Sequence, residues 1–205
     1  MVAIIDYDAG NIKSVEKAFE YLGAQTLVTR EPSKIYKADR VVLPGVGAFG
    51  DAMSRIREYG LEPVIKEVTS KGVPFIGICL GQQLLFDRSD ESDGAVGLGI
   101  LRGAIRRIPD TDALGNSYKI PQIGWNSLRF PNKGRLFKGI EEGAYVYFVH
   151  SYYLDSEDKS IVTATTDYNV TVEASVEKGN VFACQFHPEK SSEVGMQILD
   201  NFLKV

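Results

Sequence analysis

One stretch of this chain, residues 73–86, constrains the fold more than any other. It begins with a short apolar run rich in branched residues, typical of a buried strand, and continues with leucines at helical spacing. The changeover falls where Cys79 stands between Gly77 and Gly81. A sharp turn from strand to helix needs glycine where two backbones come close, and it holds its apex residue in strained φ/ψ angles. The stretch therefore predicts a strand, a nucleophile elbow with cysteine at its apex, and a helix.

Cys79 has two interpretations. At the apex it would lie at a helix N-terminus, where the positive end of the helix dipole favours the nucleophilic thiolate. Alternatively, it is a buried structural cysteine that behaves as a small hydrophobe. The two glycines that flank Cys79, Gly77 and Gly81, favour the interpretation as a nucleophile. The second cysteine, Cys184, shares one face of a later strand with Phe182 and Phe186. We therefore expect Cys184 to be an unreactive core residue.

The composition is that of an ordinary globular protein. The chain has 205 residues, of which 44% are hydrophobic and 24% charged, and this length predicts a single domain over residues 1–205. A formal net charge of −4 argues against a nucleic acid or an anionic membrane as the main partner. No apolar run reaches transmembrane length, and two cysteines make no disulfide framework. We therefore expect a cytoplasmic protein.

Short apolar strands alternate with amphipathic helices in the first half of the chain. This pattern predicts an α/β fold with an open, mostly parallel sheet and helices on both faces. A helix is expected to break near Gly60 and Pro63, and Ser191 or Ser192 is expected to cap the closing helix. Additional antiparallel strands are expected in the segments before Gly143. Continuous strands are expected at residues 2–5, 26–28, 40–43, 145–153, 161–165, 171–176 and 181–189.

A cysteine nucleophile needs a base and a third group that orients the base. The chain has two histidines, and only His187 has a carboxylate nearby, that of Glu189. Residues i and i+2 of an extended chain share a face, and Pro188 is expected to keep this pair extended. His150 has Tyr152 at the matching position. We therefore expect His187 to be the base, although a strand-end histidine that merely hydrogen-bonds is the alternative.

Residues 44–47, with the sequence Pro-Gly-Val-Gly, follow the third predicted strand. They should lie at the carboxyl edge of the sheet, where open α/β proteins bind ligands. No Gly-Lys-Ser/Thr follows, so this is not a phosphate-binding P-loop. The turn can offer backbone N–H groups close to the elbow, or it is simply a tight turn.

Together, the elbow, the turn at 44–47 and residues 187–189 resemble the class I (triad) glutamine amidotransferase family. Further segments are similar to the branch of that family whose members pass ammonia to a separate cyclase: residues 6–11, 44–49, 124–126, 147–152 and 187–191. Two positions depart from the pattern. Gln122 stands where the family often has His, and Asp8 where it often has Gly. Both lie outside the triad, so we expect them to affect partner contact.

The resemblance implies a Cys-His-Glu triad. Cys79 would attack the side-chain amide of glutamine, His187 would move the protons, and Glu189 would hold the tautomer of the imidazole. The oxyanion would be bound by backbone N–H groups of Leu80 and of the turn at Val46 and Gly47. The resemblance further implies that the glutamine substrate contacts Gly47, Gln83, Ser151 and Tyr152.

The branch also implies a partner. It is a (β/α)₈ cyclase subunit, bound as a heterodimer, that makes imidazole glycerol phosphate and aminoimidazole carboxamide ribotide in histidine biosynthesis. No metal and no cofactor are expected. Positions that match the partner-facing residues of the branch are Asn11, Trp125, Asn126, Tyr147 and Lys190. From the residues alone, Trp125 would be core and Lys190 a solvated charge.

Other functions fit the same motifs. The chain could supply ammonia to pyridoxal phosphate or anthranilate synthesis, or act as a stand-alone γ-glutamyl hydrolase. A non-catalytic binding subunit is the alternative from another class, and the intact triad pattern argues against it.

Overall fold

The computed structural model describes residues 1–112 and 114–205. In chain order the strands are β1 Val2–Ile5, β2 Thr26–Thr29, β3 Arg40–Gly45, β4 Phe75–Cys79, β5 Arg88–Ser89, β6 Gly103–Arg107, β7 Gln122–Ser127, β8 Tyr145–His150, β9 Tyr152–Ser156, β10 Val162–Tyr168, β11 Val170–Lys178 and β12 Val181–Cys184. The helices are α1 Ile12–Tyr21, α2 Pro32–Ile35, α3 Phe49–Glu58, α4 Leu61–Ser70, α5 Leu80–Leu84 and α6 Ser192–Leu203. Among the described residues, no helix combines the length and apolar character needed to cross a membrane.

A seven-stranded sheet forms the centre of the molecule, in the order β10-β11-β12-β4-β3-β1-β2. The five strands from β12 to β2 run parallel, and β11 and β10 extend the sheet antiparallel. The crossover through α1 moves one way along the sheet and the crossover through α3 and α4 moves the other way. Because such crossovers are right-handed, these helices cover opposite faces. The predicted open α/β sheet is confirmed.

Burial on both faces explains why the central strands are almost wholly apolar. Ile4, Val42 and Ile76, on three neighbouring strands, are fully buried. The helices are amphipathic, and α1 buries the side chains of Val15 and Phe19 in the core that it forms with the sheet. The carboxyl ends of β3 and β4, where the site lies, are therefore held in place by strands that are packed on both faces.

The break between α3 and α4 falls at Gly60 alone. Gly60 has a φ of 66°, a left-handed conformation that glycine adopts without strain. Pro63 lies in the first turn of α4. Backbone N–H groups in the first turn of a helix form no hydrogen bond within the helix, so the absence of an N–H in proline costs nothing there. The predicted break near Gly60 and Pro63 is confirmed, and the structure locates it at Gly60.

The predicted continuous strand at 145–153 is two strands. Ser151 lies at a bend between β8, which pairs antiparallel with β7, and β9, which pairs antiparallel with β6. The change of partner requires the chain to turn, and β propensity carries no information about partners. A second difference concerns β5, which pairs parallel with β6 although antiparallel strands were expected in this region.

Candidate active site

The elbow at the end of β4 has the predicted geometry. Cys79 adopts a φ of 56° and a ψ of −110°, and α5 begins at the next residue. A Cβ on Gly77 would lie 2.6 Å from the carbonyl oxygen of Gly81, and a Cβ on Gly81 would overlap the carbonyl oxygen of Leu43. The two glycines therefore allow β4, α5 and β3 to approach one another. This approach holds Cys79 in a strained conformation at the sheet edge.

His187 and Glu189 form a buried pair. Nδ1 of His187 lies 2.7 Å from Oε1 of Glu189, and neither side chain is exposed to solvent. The backbone of His187 is held as well, because its N–H donates to the carbonyl oxygen of Tyr147 and its own carbonyl oxygen accepts from the Ser191 hydroxyl. Ser191 thus does not cap α6 with its side chain, although it occupies the N-cap position.

The pKa of His187 is raised to about 10. Burial alone would lower this pKa, but the neighbouring Cys79 and Glu189 outweigh burial and favour the imidazolium. The Nε2 atom of His187 is buried and has no hydrogen-bond partner among the described residues. Cys79 and His187 line the same cavity, so this nitrogen is available to the sulfur.

The backbone between His187 and Glu189 differs from the prediction. Strand β12 ends at Cys184, and residues Pro188–Lys190 form a 3₁₀ turn instead of extended chain. The fixed φ of Pro188 suits the first position of a helical turn as well as a strand, so proline does not distinguish the two. The predicted contact between the two side chains is present, but it is made across a tight turn.

A cavity of about 280 Å³ lies in front of Cys79, and its small size suits an amino-acid-sized ligand. Gly47 has a φ of 101°, a left-handed conformation that favours glycine at this turn. The residues that line the cavity are Val46, Gly47, Cys79, Leu80, Gln83, Glu91, Pro121, Val149, His150, Ser151, Tyr152 and His187. The structure thus brings together every position predicted for the oxyanion turn and the substrate.

Two further residues of the site were missed by sequence reasoning. The side-chain amide of Gln185 lies 3.7 Å from the sulfur of Cys79, and no motif in the sequence gave Gln185 a role. Glu91 brings a carboxylate to the cavity wall, and its Oε2 accepts the N–H of Phe49 at 2.7 Å. No spacing or motif in the sequence marks Glu91.

Comparison with known proteins agrees with this geometry. The family model described as glutamine amidotransferase class-I matches residues 3–205. The chain belongs to the class I glutamine amidotransferase family.

Similar proteins cover nearly the whole chain. The imidazole glycerol phosphate synthase subunit HisH of Bacillus cereus (strain G9842) is 53% identical over 202 residues, which span 98% of this chain and 93% of that protein. The subunit of the same name from Bacillus subtilis (strain 168) is 47% identical over 205 residues, 100% of this chain and 96% of that protein. A crystal structure of a glutamine amidotransferase has a TM-score of 0.76 at 19% identity, covering 100% and 98% of the two chains, and shares the fold.

His150 lines the amidotransferase cavity, but both of its ring nitrogens are hydrogen-bonded within the chain. Nδ1 lies 2.8 Å from the carbonyl oxygen of Tyr152, and Nε2 lies 2.9 Å from Oε1 of the Gln122 side-chain amide. Burial lowers the pKa of His150 to about 4, so the ring is neutral at pH 7. A carbonyl oxygen can only accept, so Nδ1 carries the proton. A neutral ring then leaves Nε2 as an acceptor, which pairs with the Gln122 amide once that amide is turned to present its NH₂ group in place of Oε1.

This arrangement accounts for Gln122, one of the two departures from the family pattern. The other departure, Asp8, has a φ of 66°, where glycine is the residue without strain. Its carboxylate is held within the chain by Arg30 at 2.8 Å and by the hydroxyl of Tyr59 at 2.5 Å. These hydrogen bonds also lower the pKa of Asp8. Both departures thus make contacts inside this chain, whereas the sequence had suggested an effect on a partner.

Cys184 is buried among the core residues, as predicted. Desolvation raises its pKa well above the ordinary value, which favours the unreactive thiol. Cys79 is therefore the cysteine that can act as nucleophile in the cavity. Among residues 1–112 and 114–205, no group of three or more His, Cys, Asp and Glu side chains is placed to hold a metal ion.

The positions predicted to face a partner differ in their exposure to solvent: Trp125 and Lys190 are exposed, whereas Asn11 is buried. Trp125 is 50% exposed and packs edge-to-face on Tyr147 across the β7–β8 pair, with ring centroids 6.1 Å apart, so the expectation of a core Trp from the residues alone was wrong. Lys190 is exposed as well. Asn126 donates to the carbonyl oxygen of Asp167 at 2.9 Å. Asn11 is 6% exposed and contacts Glu189 instead of solvent.

Proposed function

We propose that this chain is the glutaminase subunit of an imidazole glycerol phosphate synthase and hydrolyses glutamine to glutamate and ammonia. The main support for this chemistry is the composition of the cavity. It contains Cys79 on a strained elbow together with His187, whose ring is hydrogen-bonded to Glu189. Relatives that carry the name of this synthase subunit match 98–100% of the chain, which supports this acceptor over others.

The first half of the reaction forms a thioester. His187 holds the proton of the Cys79 thiol, in keeping with its raised pKa, and the sulfur attacks the side-chain carbonyl carbon of glutamine. The negative oxygen then meets the N–H of Leu80 and an N–H of the Val46–Gly47 turn. Loss of one such donor usually costs about 10²–10³-fold in rate. The C–N bond breaks as His187 gives its proton to the nitrogen, and ammonia leaves.

The second half releases glutamate. His187, now neutral, takes a proton from a water molecule, whose oxygen bonds to the thioester carbon while the C–S bond breaks. Glu189 accepts the Nδ1 hydrogen bond throughout and so holds one tautomer. Proton transfer of this kind contributes about 10²–10⁴-fold to the rate.

Polar groups at the cavity wall can orient the α-amino-acid end of glutamine. Gln83 uses its NH₂ group for the carbonyl oxygen of Tyr152 at 3.3 Å and for Gln185 at 2.9 Å, which leaves its Oε1 as an acceptor. That acceptor and the Glu91 carboxylate suit an ammonium group. Gly47, Ser151 and Tyr152 complete the wall around the substrate.

The ammonia passes to a (β/α)₈ cyclase subunit, which makes imidazole glycerol phosphate and aminoimidazole carboxamide ribotide in histidine biosynthesis. Exposed aromatic residues are typical anchors of protein interfaces, and Trp125 is one of them. It packs on the half-buried Tyr147, whose carbonyl oxygen accepts the N–H of His187. Lys190, Asn126 and Asn11 complete the proposed contact region. We propose that residues 1–205 act as one domain, in the cytoplasm, where the thiol stays reduced.

A glutaminase assay in three mixtures tests this function. The chain is measured alone, with the cyclase, and with the cyclase and its phosphoribosyl substrate. We expect low turnover alone and a strong rise in the complete mixture. Equal turnover in all three mixtures supports the stand-alone γ-glutamyl hydrolase. Absence of complex formation on gel filtration favours another acceptor, such as the pyridoxal phosphate or anthranilate pathway. Absence of turnover in every mixture favours a binding subunit.

A further inference from the structure

Gln185 connects the nucleophile to the substrate-binding wall. It follows β12 directly, and its side chain is fully buried. Its Nε2 lies 3.7 Å from the sulfur of Cys79, and its Oε1 lies 2.9 Å from Nε2 of Gln83. The proposed function gives this amide no part in the reaction.

The orientation of this amide is determined by its neighbours. Gln83 lies 3.3 Å from the carbonyl oxygen of Tyr152, which can only accept a hydrogen bond, so Gln83 must present its NH₂ group on this side. The same NH₂ group faces Gln185, which therefore presents its oxygen. An amide with its oxygen on one side presents its NH₂ on the other, so a donor points at the sulfur of Cys79.

We propose that Gln185 is a further catalytic residue of the glutaminase, whose side-chain N–H donates a hydrogen bond to the Cys79 sulfur whenever that sulfur is negatively charged. This inference rests on the proposed role of Cys79 as nucleophile. The sulfur is negative twice in the cycle. It is a thiolate before it attacks the amide carbon, and it becomes one again when water oxygen bonds to the thioester carbon and the C–S electron pair returns to sulfur. His187 takes the water proton in that step, so no other reactant is needed.

A hydrogen bond to the thiolate has two opposing effects. It increases the fraction of thiolate near neutral pH, and it makes each thiolate a weaker nucleophile and a better leaving group. Its loss therefore lowers the reactivity of the thiol at neutral pH and raises it at high pH. A variant that merely distorts the site lowers reactivity at every pH, so the two effects can be separated.

Alkylation of the full chain by iodoacetamide between pH 5 and pH 10 tests the proposal, with mass spectrometry to locate the modified cysteine. Gln185→Met removes the amide and keeps the length of the side chain. Gln82→Met is the matched control, because Gln82 is also a fully buried amide but donates to the carbonyl oxygen of Glu173 at 3.3 Å. Gln185→Glu removes the donor while keeping the shape, and it serves if the Met variant does not fold.

In Gln185→Met, we expect the midpoint of the profile for Cys79 to move up by about one pH unit, with about tenfold slower alkylation on the neutral-pH limb. The high-pH plateau should rise by up to about threefold. The Glu variant should move the midpoint at least as far, and Gln82→Met should leave it in place.

Three outcomes contradict parts of this explanation, the first two the role of Gln185 and the third the proposed function. A reactive Cys79 with the same profile in wild type and both Gln185 variants overturns the role of Gln185 and leaves the proposed function intact. Movement of the midpoint in Gln82→Met as well assigns the effect to general packing and also overturns it. A wild-type Cys79 that reacts no faster than an ordinary buried thiol contradicts the proposed function itself.

Discussion

Asn11 donates a hydrogen bond to Glu189, with 3.3 Å between Nδ2 and Oε1. The same carboxylate oxygen accepts the Nδ1 hydrogen bond of His187 at 2.7 Å. Asn11 is one of the positions proposed to face the cyclase, yet its side chain is buried. The start of α1 is therefore in direct contact with the proposed triad, and a partner that displaces this segment changes the surroundings of Glu189.

Replacement of Asn11 by Leu should lower the kcat for glutamine about tenfold, because it removes a hydrogen bond to a charged group. The KM should change little, since Asn11 does not line the cavity. Steady-state kinetics with saturating cyclase measure both constants. Asn132→Leu is the matched control, because Asn132 donates to the carbonyl oxygens of Lys159 and Val162 and lies outside the proposed contact region. A normal kcat in Asn11→Leu would show that Glu189 does not need this bond.

Replacement of Trp125 by Ala should weaken binding of the cyclase. Loss of a central aromatic anchor costs about 2 kcal/mol or more, which raises Kd about 30-fold. Isothermal titration calorimetry measures this effect directly. Tyr36→Ala is the control, because Tyr36 is 40% exposed and lies just before β3, at the edge of the sheet opposite the cavity. Equal Kd values for the two variants would contradict the proposed contact region.

His150 should make the fold sensitive to mild acid. Its pKa is lowered from 6.5 to about 4 by burial, with a smaller contribution from nearby His187. Below pH 6.5 the unfolded chain binds a proton that the folded chain does not bind until about pH 4. The free energy of unfolding should therefore fall by up to about 3 kcal/mol across this range.

Urea unfolding of the wild type and of His150→Asn, measured from pH 7 to pH 4, separates this contribution from those of the carboxylates. The variant has no imidazole at this position, so its stability should fall less steeply with acid. Parallel curves for the two proteins would mean that His150 titrates normally in the folded state.

Gly81 should not tolerate even a methyl group. A Cβ there would overlap the carbonyl oxygen of Leu43, a backbone atom that cannot move without disturbing β3. Gly81→Ala should cost about 3 kcal/mol. Gly23→Ala provides a comparison, because Gly23 has a φ of 80° and open space around it, and only backbone strain of about 1 kcal/mol is expected. Thermal denaturation measures both, and equal losses would contradict the steric explanation.

Local patterns in the sequence predicted the elbow, the central strands and the neighbourhood of His187 and Glu189, because each depends on residues close together in the chain. The contacts between Gln185 and Cys79 and between Asn11 and Glu189 join residues 106 and 178 positions apart, and no periodicity indicates them. The bend at Ser151 was missed for a related reason. It depends on which strands β8 and β9 pair with, whereas the residues around it all favour strand.

The central claim is that Cys79 generates ammonia for a reaction on another subunit. The most direct test is synthesis of imidazole glycerol phosphate by the complex of the cyclase with Cys79→Ala, supplied with either glutamine or ammonium salt. We expect the glutamine-dependent rate to fall to background and the ammonia-dependent rate to match that of the wild-type complex. Equal loss of both rates, or retention of the glutamine-dependent rate, would contradict the claim.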